Sequence, residues 1–119
     1  MNELAKLVFD GDADVVVVSI TGEVDLSNAA EVTAAIVAAA PNEVAGVVVD
    51  LSGLSYLDSA GIRMLAELAR RLDWRQQTLR VVAPEDSRAR KVLTISGTEP
   101  VLLLDPTVEA ARARVTGDA

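Results

Sequence analysis

Residues 46–62 read Gly46-Val47-Val48-Val49-Asp50-Leu51-Ser52-Gly53-Leu54-Ser55-Tyr56-Leu57-Asp58-Ser59-Ala60-Gly61-Ile62, and this stretch decides the fold of the 119-residue chain. A run of valines after a glycine is typical of a strand that is buried on both faces. Beyond a short loop, apolar residues recur at helical spacing. The stretch therefore predicts a strand over residues 45–51, a loop, and a helix over residues 59–72, with Asp58 and Ser59 at its start.

The start of this helix is a place where a negative group is stabilised. The first backbone N–H groups of a helix have no intrahelical partner, and they lie at the positive end of the helix dipole. A phosphate attached to Ser59 would be stabilised there, which makes this serine a candidate switch residue. The same residues also have a purely structural explanation, in which Asp58 caps the helix and Gly61 permits close packing.

The rest of the chain is predicted to alternate between strands and helices after an opening hairpin. The first helix, over residues 26–40, is capped either by Ser27 or by Asn28 with Glu31 three residues later. Strict alternation produces right-handed crossovers and a mainly parallel sheet. We therefore predict a single α/β domain, residues 1–119, with a mixed, mainly parallel sheet of four to five strands and four helices. The further predicted strands cover residues 4–9, 15–20, 78–83 and 101–104, and the further helices cover residues 85–96 and the segment opened by Asp105-Pro106.

The composition excludes several kinds of chemistry. The chain has no cysteine and no histidine, so disulfides, zinc–thiolate sites and histidine general bases are excluded. The net charge is −7, and residues 1–59 carry ten acidic side chains against the single Lys6. A domain with a net negative charge is unsuited to binding nucleic acid or anionic membranes. A partner with a basic surface is favoured instead.

No targeting or membrane-spanning segment is predicted. Residues 1–14 include five charged side chains and no long apolar run, which is unlike a signal peptide. The longest apolar runs of the chain are too short to cross a bilayer. We therefore expect a cytoplasmic protein.

Two strand-end loops are expected to meet at one edge of the sheet. Gly22-Glu23-Val24-Asp25 follows the strand before the first helix, and parallel strands place their carboxyl ends at the same edge. Asp25 is therefore expected near Ser59, although helix capping alone would also explain it. Asp25 and Asp58 together would make no more than a weak Mg²⁺ site, because two carboxylates rarely hold this ion without a phosphate.

An enzymatic role for Ser59 is not supported by the rest of the sequence. A nucleophile elbow also places a serine at a strand-to-helix turn, but a serine nucleophile needs a base and the chain has no histidine. Lys6 and Lys91 are its only lysines, and no pattern places either of them near Ser59. The glycine-rich loops that hold nucleotide phosphates are absent as well. We predict no catalytic residue, no metal site and no cofactor.

These motifs taken together resemble the STAS family, in particular the bacterial anti-sigma factor antagonists. The resemblance rests on residues 22–25, on Asp50-Leu51-Ser52 with residues 57–62, and on Ser96-Gly97 before the last strand. It covers nearly the whole chain. It implies a single-domain partner-switching protein whose Ser59 is phosphorylated by an anti-sigma factor that is also a GHKL-type serine kinase. A phosphatase acting on the same serine is a further expected partner.

The resemblance also implies which residues contact the partner. Asp25 and Asp58 are expected to flank the phosphate acceptor and to help dock the kinase. Ala60 stands where the family often has a second Ser or Thr, so Ser59 is the only acceptor in the motif. Arg75-Gln76-Gln77 replaces the usual glycine pair before the fourth strand. The predicted partner-binding set is Glu23, Asp25, Ser27, Asp58, Ser59, Ala60, Gly61 and Arg63.

Two other functions stay open at this point. STAS-like domains also act as accessory subunits of lipid-transport ATPases and of stress-signalling assemblies, and there Ser59 would only pack and dock. A nucleotide-binding or weak NTPase module is the second alternative, since a helix N-terminus can hold a phosphate.

Overall fold

The computed structural model of the chain describes residues 4–97 and 102–117. Within these residues a six-stranded sheet carries helices on both of its faces. In chain order the elements are β1 (Ala5–Gly11), β2 (Val15–Val24), α1 (Ala29–Ala39), β3 (Gly46–Asp50), β4 (Leu54–Leu57), α2 (Ser59–Trp74), β5 (Thr78–Val82), α3 (Arg88–Ser96), β6 (Leu104–Asp105) and α4 (Val108–Thr116).

The strands are arranged in the order β1-β2-β3-β5-β6, and β4 pairs with β2 outside this path. β1 is antiparallel to β2, and all the other pairs are parallel. The structure therefore confirms the predicted α/β domain with a mixed, mainly parallel sheet and four helices. The five strands β1, β2, β3, β5 and β6 agree with the prediction of four to five strands. β4 is an additional strand.

β4 was predicted as part of a loop, because its four residues lack the alternation of a half-buried strand. Leu54 and Leu57 at its two ends are buried, while the two residues between them are exposed. This strand forms because the carboxyl-terminal part of β2 offers it backbone partners, with Glu23 opposite Tyr56. For the same reason β2 continues to Val24, four residues beyond the predicted end at residue 20.

Three helices begin later than the sequence predicted. α1 and α3 each start three residues later, and α4 starts after Pro106 instead of including it. For α3 and α4 the cause is the cap: Ser87 accepts a hydrogen bond from the backbone N–H of Arg90, and Thr107 accepts one from Ala110. α2 runs two residues further than predicted. The last strand covers only Leu104–Asp105, and residue 101 of the predicted strand lies outside the described residues.

The valine runs are buried on both faces of the sheet, as predicted. In β2, Val16 and Val18 belong to the larger core, which is covered by α1, α2 and α3. Val15 and Val17 point to the opposite face and pack with Ala111 of α4. Side chains alternate between faces along a strand, so an uninterrupted apolar run is what a sheet covered on both sides requires.

The turn formed by Arg75-Gln76-Gln77 is held by contacts with the loop after α1. Gln76 adopts a positive φ of 58°, which is uncommon for a residue other than glycine. The side-chain amide of the buried Gln77 donates to the carbonyl oxygens of Pro41 and Val44, at 2.8 and 3.0 Å. Arg75 donates to the carbonyl oxygen of Ala40 at 2.8 Å. The turn therefore keeps its shape without glycine.

A buried ion pair joins β5 to β6. The guanidinium of Arg80 donates two hydrogen bonds to the carboxylate of Asp105, at 2.7 and 2.9 Å. Arg114 of α4 contacts the same carboxylate at 3.2 Å. The side chains of Arg80 and Asp105 are only 13% and 3% exposed, so water can replace little of what each partner provides.

Replacing Asp105 by Asn should lower the free energy of unfolding by about 3–5 kcal/mol, because the Arg80 guanidinium then stays buried without a counter-charge. Urea denaturation monitored by circular dichroism measures this loss. Arg112→Gln is the matched control, since it breaks the solvent-exposed ion pair with Asp12. The free energy of unfolding should fall much less in Arg112→Gln than in the Asp105 variant. Equal losses of unfolding free energy in the two variants would contradict the role given to burial.

Candidate functional site

The carboxyl ends of the parallel strands form one edge of the sheet, and the predicted site lies there. The loop from β2 to α1 and the start of α2 both emerge at this edge. They lie side by side because β4 pairs with the end of β2 and leads directly into α2. Tertiary structure thus brings residues 23–28 next to residues 58–60.

Asp58 connects these two segments. One carboxylate oxygen caps α2 by accepting a hydrogen bond from the N–H of Gly61 at 3.0 Å, which confirms the predicted cap. The other oxygen accepts a hydrogen bond from the N–H of Leu26 at 3.3 Å. The backbone N–H of Asp58 donates to the carbonyl oxygen of Val24 at 3.4 Å. A single residue therefore fixes both the helix start and the neighbouring loop.

The loop from β2 to α1 is built by its own polar side chains. The carboxylate of Asp25 accepts hydrogen bonds from the N–H of Ser27 at 2.8 Å and from its hydroxyl at 2.6 Å. Asn28 accepts from the N–H of Asp25 and donates to the carbonyl oxygen of Glu23, both at 2.9 Å. Asn28 occupies the N-cap position of α1, as one of the two predicted alternatives has it, but its side chain is used within the loop and makes no capping bond to the helix. Ser27 is likewise bonded within the loop, and the helix begins at Ala29.

The charged form of Asp25 is favoured by this arrangement. The hydroxyl of Ser27, and after it the backbone N–H of the same residue, hold the pKa of Asp25 below its ordinary value. Asp25 therefore adds a permanent negative charge to this edge at neutral pH.

Ser59 is the first residue of α2, and it is exposed. Its neighbour Asp58 is bonded to the loop that contains Asp25, so Ser59 lies beside an acidic loop. A hydroxyl in this position is accessible to another protein. The start of α2 also supplies the unpaired N–H groups that stabilise an added anion.

The other residues of the predicted partner-binding set differ in their exposure. Glu23, Ser27 and Arg63 are exposed, and Ala60 is partly buried. Gly61 is buried, and a Cβ atom at this position would lie 2.4 Å from a methyl carbon of Leu57. The close packing predicted for Gly61 is therefore confirmed, and a contact of this residue with a partner stays a prediction.

Two exposed apolar residues at this edge were missed by the sequence analysis. The side chain of Leu26 is 79% exposed, and that of Tyr56 on β4 is 49% exposed. Leu26 was assigned to the helix, where an apolar residue is expected to be buried. The signal that could have found it is its position between the two polar residues of an Asp-Leu-Ser turn.

The site shows no arrangement typical of a resident metal. Among residues 4–97 and 102–117, no three acidic side chains come together in a way that could hold a metal ion. The carboxylates of Asp25 and Asp58 instead accept hydrogen bonds from backbone amides.

None of the helices in residues 4–97 and 102–117 has both the length and the apolar character that a bilayer crossing requires.

Comparison with known proteins assigns the family. The family model described as "Mlab, STAS domain" matches residues 7–104, and the chain therefore belongs to the STAS domain family. Among curated proteins, no sequence matches this chain significantly.

Solved structures with the same fold include two antagonists. An anti-sigma factor antagonist from Mycobacterium paratuberculosis is 28% identical, with 94% of each chain covered and a TM-score of 0.80. The antagonist SpoIIAA in its unphosphorylated form is 25% identical, with 94% of this chain and 97% of that chain covered and a TM-score of 0.72. The phosphorylated form of SpoIIAA from Bacillus is 24% identical, with 92% and 99% covered and a TM-score of 0.65.

The fold also occurs inside a much larger protein. The murine anion transporter Slc26a9 is 16% identical over 91% of this chain but only 18% of its own length, with a TM-score of 0.75. This likeness shows the fold alone.

Asp58→Ala should lower the free energy of unfolding by about 1–2 kcal/mol, because it removes the cap of α2 together with the bond to Leu26. Asp58→Ser is the matched variant, since serine can cap the helix but is too short to hold the loop as well. Urea denaturation should show a smaller loss of unfolding free energy for Asp58→Ser than for Asp58→Ala. Amide hydrogen exchange at Leu26 should be faster in both variants, and unchanged exchange would contradict the proposed link.

Ser27→Ala should raise the pKa of Asp25 towards its ordinary value, because the hydroxyl is the first cause of the lowered pKa. A carboxyl group with a lowered pKa stabilises the fold above its ordinary pKa, and this contribution is lost as the pH falls through the lowered pKa. The contribution should therefore be smaller in the variant, and the pH range over which it is lost should be narrower. NMR titration of the Asp25 carboxyl carbon measures the shift. Ser52→Ala, which removes a hydroxyl bonded to Asp50, should leave the pKa of Asp25 unchanged.

Proposed function

We propose that this STAS protein is an anti-sigma factor antagonist, a cytoplasmic binding switch without enzymatic activity of its own. The observation that carries the proposal is the exposed Ser59 at the start of α2, beside the acidic loop that Asp58 holds in place. In the unphosphorylated state this edge binds an anti-sigma factor, and the sigma factor is released.

The structural relatives support this class. The similar protein from Mycobacterium paratuberculosis and SpoIIAA are both anti-sigma factor antagonists, and both match more than nine-tenths of this chain. SpoIIAA exists in an unphosphorylated and a phosphorylated form, so an antagonist of this fold can carry the modification. For the present chain we infer Ser59 as the acceptor, because it is exposed at a helix start that stabilises anions.

The proposed modification is a phosphoryl transfer. The anti-sigma factor, as a GHKL-type kinase, binds ATP, and the hydroxyl oxygen of Ser59 attacks the γ-phosphorus. A new O–P bond forms, the bond to the β-phosphate oxygen breaks, ADP leaves, and the hydroxyl proton passes to the kinase or to water. A phosphatase reverses the change by hydrolysis and restores the serine.

The consequence of the modification is electrostatic. The phosphate adds a charge of about −1.5 to −2 at neutral pH next to Asp25 and Asp58. Within the antagonist, the N-terminus of α2 offsets part of this charge. At the interface, the added charge must be desolvated and faces the carboxylates already present. A change of fold is not needed, because the cost falls on binding.

Leu26 completes the binding surface. It is 79% exposed although it is apolar, and its backbone is fixed by the bond to Asp58. Protein interfaces combine apolar contact area with polar and charged groups around it. We infer that Leu26 provides apolar contact area while Asp25 and Glu23 provide charge.

Ser59→Asp should weaken binding to the anti-sigma factor by about 30- to 150-fold, which corresponds to a penalty of about 2–3 kcal/mol. Ser59→Ala should bind as tightly as the wild-type protein. Isothermal titration calorimetry with the purified GHKL-type anti-sigma factor of the same organism measures both. Gln76→Asp is the matched control, because it adds the same charge to an exposed residue just beyond the opposite end of the 16-residue helix α2. Equal affinity of Ser59→Asp and the wild-type protein would contradict the switch.

The acceptor itself is tested by mass spectrometry. Incubation with the kinase and ATP should increase the mass of the wild-type protein by one phosphoryl group, located on Ser59, and should leave Ser59→Ala unchanged. Phosphorylation at another residue would refute the assignment of the acceptor. Stable binding to a transporter ATPase, with no phosphorylation by any GHKL-type kinase, would instead support an accessory subunit.

A further inference from the structure

We propose that two copies of this chain form a two-fold symmetric dimer by pairing their β1 strands edge to edge. β1 is the terminal strand of the sheet, and among the described residues it pairs only with β2. Its other edge therefore presents backbone groups without a strand partner. This inference concerns a surface distinct from the site of Ser59, and it does not depend on the proposed function.

The hydrogen-bond pattern shows which residues of β1 face the open edge. The N–H of Glu23 donates to the carbonyl oxygen of Leu4 at 2.9 Å, and the N–H of Asp12 donates to that of Val15 at 2.9 Å. Between these bonds the register of β1 with β2 is uninterrupted. Because bonded pairs alternate along an antiparallel ladder, the even-numbered residues of β1 bond to β2. Leu7 and Phe9 therefore direct their N–H and C=O groups outwards.

These outward groups permit antiparallel pairing of two identical strands about Val8. In that register, Leu7 of one copy lies opposite Phe9 of the other, and each exchanges backbone hydrogen bonds with its counterpart. Val8 lies opposite Val8 on the two-fold axis. An isologous contact of this kind closes on itself, so it produces a dimer and not a fibre.

The charged residues of β1 fit this register. Lys6 and Asp10 lie at equal distances on either side of Val8, and both are exposed. Pairing about Val8 places Lys6 of each copy opposite Asp10 of the other, in a position where cross-strand side chains are close. A shift of two residues in either direction would place Val8 opposite Lys6 or Asp10. The charges therefore favour one register.

The apolar residues of β1 are more exposed than an uncovered edge strand normally tolerates. The side chain of Val8 is 53% exposed and that of Phe9 is 42% exposed. Natural proteins protect such edges with charged side chains, with proline or with bulges. Residues 5–11 contain no proline, and their two charges, Lys6 and Asp10, have opposite signs and can therefore pair with those of a second copy. A second copy would cover Val8 on one face of the sheet and Phe9 on the other.

In the proposed dimer, the Ser59 sites of both copies stay accessible. Ala5 at the beginning of β1 pairs with Gly22 near the end of β2, so the edge with Ser59 lies at the amino-terminal end of β1. Antiparallel pairing therefore points the two Ser59 edges in opposite directions. A dimer of this form can bind one partner at each end.

Charge reversal tests the proposed register. Sedimentation velocity of the full chain over a range of concentrations should show a reversible dimer. Lys6→Asp and Asp10→Lys should each weaken it by about tenfold or more, because each variant places like charges opposite each other twice. The double variant should restore the wild-type affinity. The two single variants change the net charge in opposite directions, so a common weakening cannot arise from net charge alone.

Lys91→Asp is the matched control, because it reverses a charge on α3, away from β1, and should leave the dimer unchanged. Amide hydrogen exchange gives an independent readout: exchange at Leu7 and Phe9 should slow as the concentration rises, while Val8, bonded within the sheet, should not respond. A chain that stays monomeric at millimolar concentration would overturn the proposal. So would a dimer that both single charge reversals leave intact, since it must use another surface.

Discussion

The carboxylate of Asp58 is the interaction on which the geometry of the candidate site depends. One of its oxygens begins α2 through Gly61, and the other holds Leu26, which is 32 residues away in the sequence. Because one short side chain makes both bonds, the helix start and the loop from β2 to α1 cannot move independently. Ser59 follows Asp58 directly, so its place beside the acidic loop is set by the same carboxylate.

The length of β2 makes this contact possible. β2 has ten residues; its first half pairs with β3, and its last residues pair with β4. β4 returns the chain to the sheet after β3, so that α2 begins beside the end of β2. Gly61 then fits against Leu57 and Val24 at distances that leave no space for a side chain. Backbone pairing and close packing thus support the same helix position as the two bonds of Asp58.

The edge that contains Ser59 and the open edge of β1 can serve different purposes because they are separate surfaces. The first combines a hydroxyl, carboxylates and the exposed Leu26, which suits a contact that a phosphate can weaken. The second consists of backbone groups, two apolar side chains and one charge of each sign, which suits contact with an identical copy. Membership of the STAS family accounts for the fold and supports the first surface, whereas the second follows from the residues of this chain.

The sequence by itself determined the features that depend on local patterns. Valine runs, helical periodicity and strict alternation were sufficient for the α/β domain with its mainly parallel sheet, and the position of Asp58 was sufficient for its role as a cap. Tertiary structure alone decided that β4 forms and that the loop from β2 to α1 lies beside the start of α2. The physical reason is that each of these features depends on groups distant in the chain: β4 needs the end of β2, and the loop needs the second oxygen of Asp58. No local pattern contains that information.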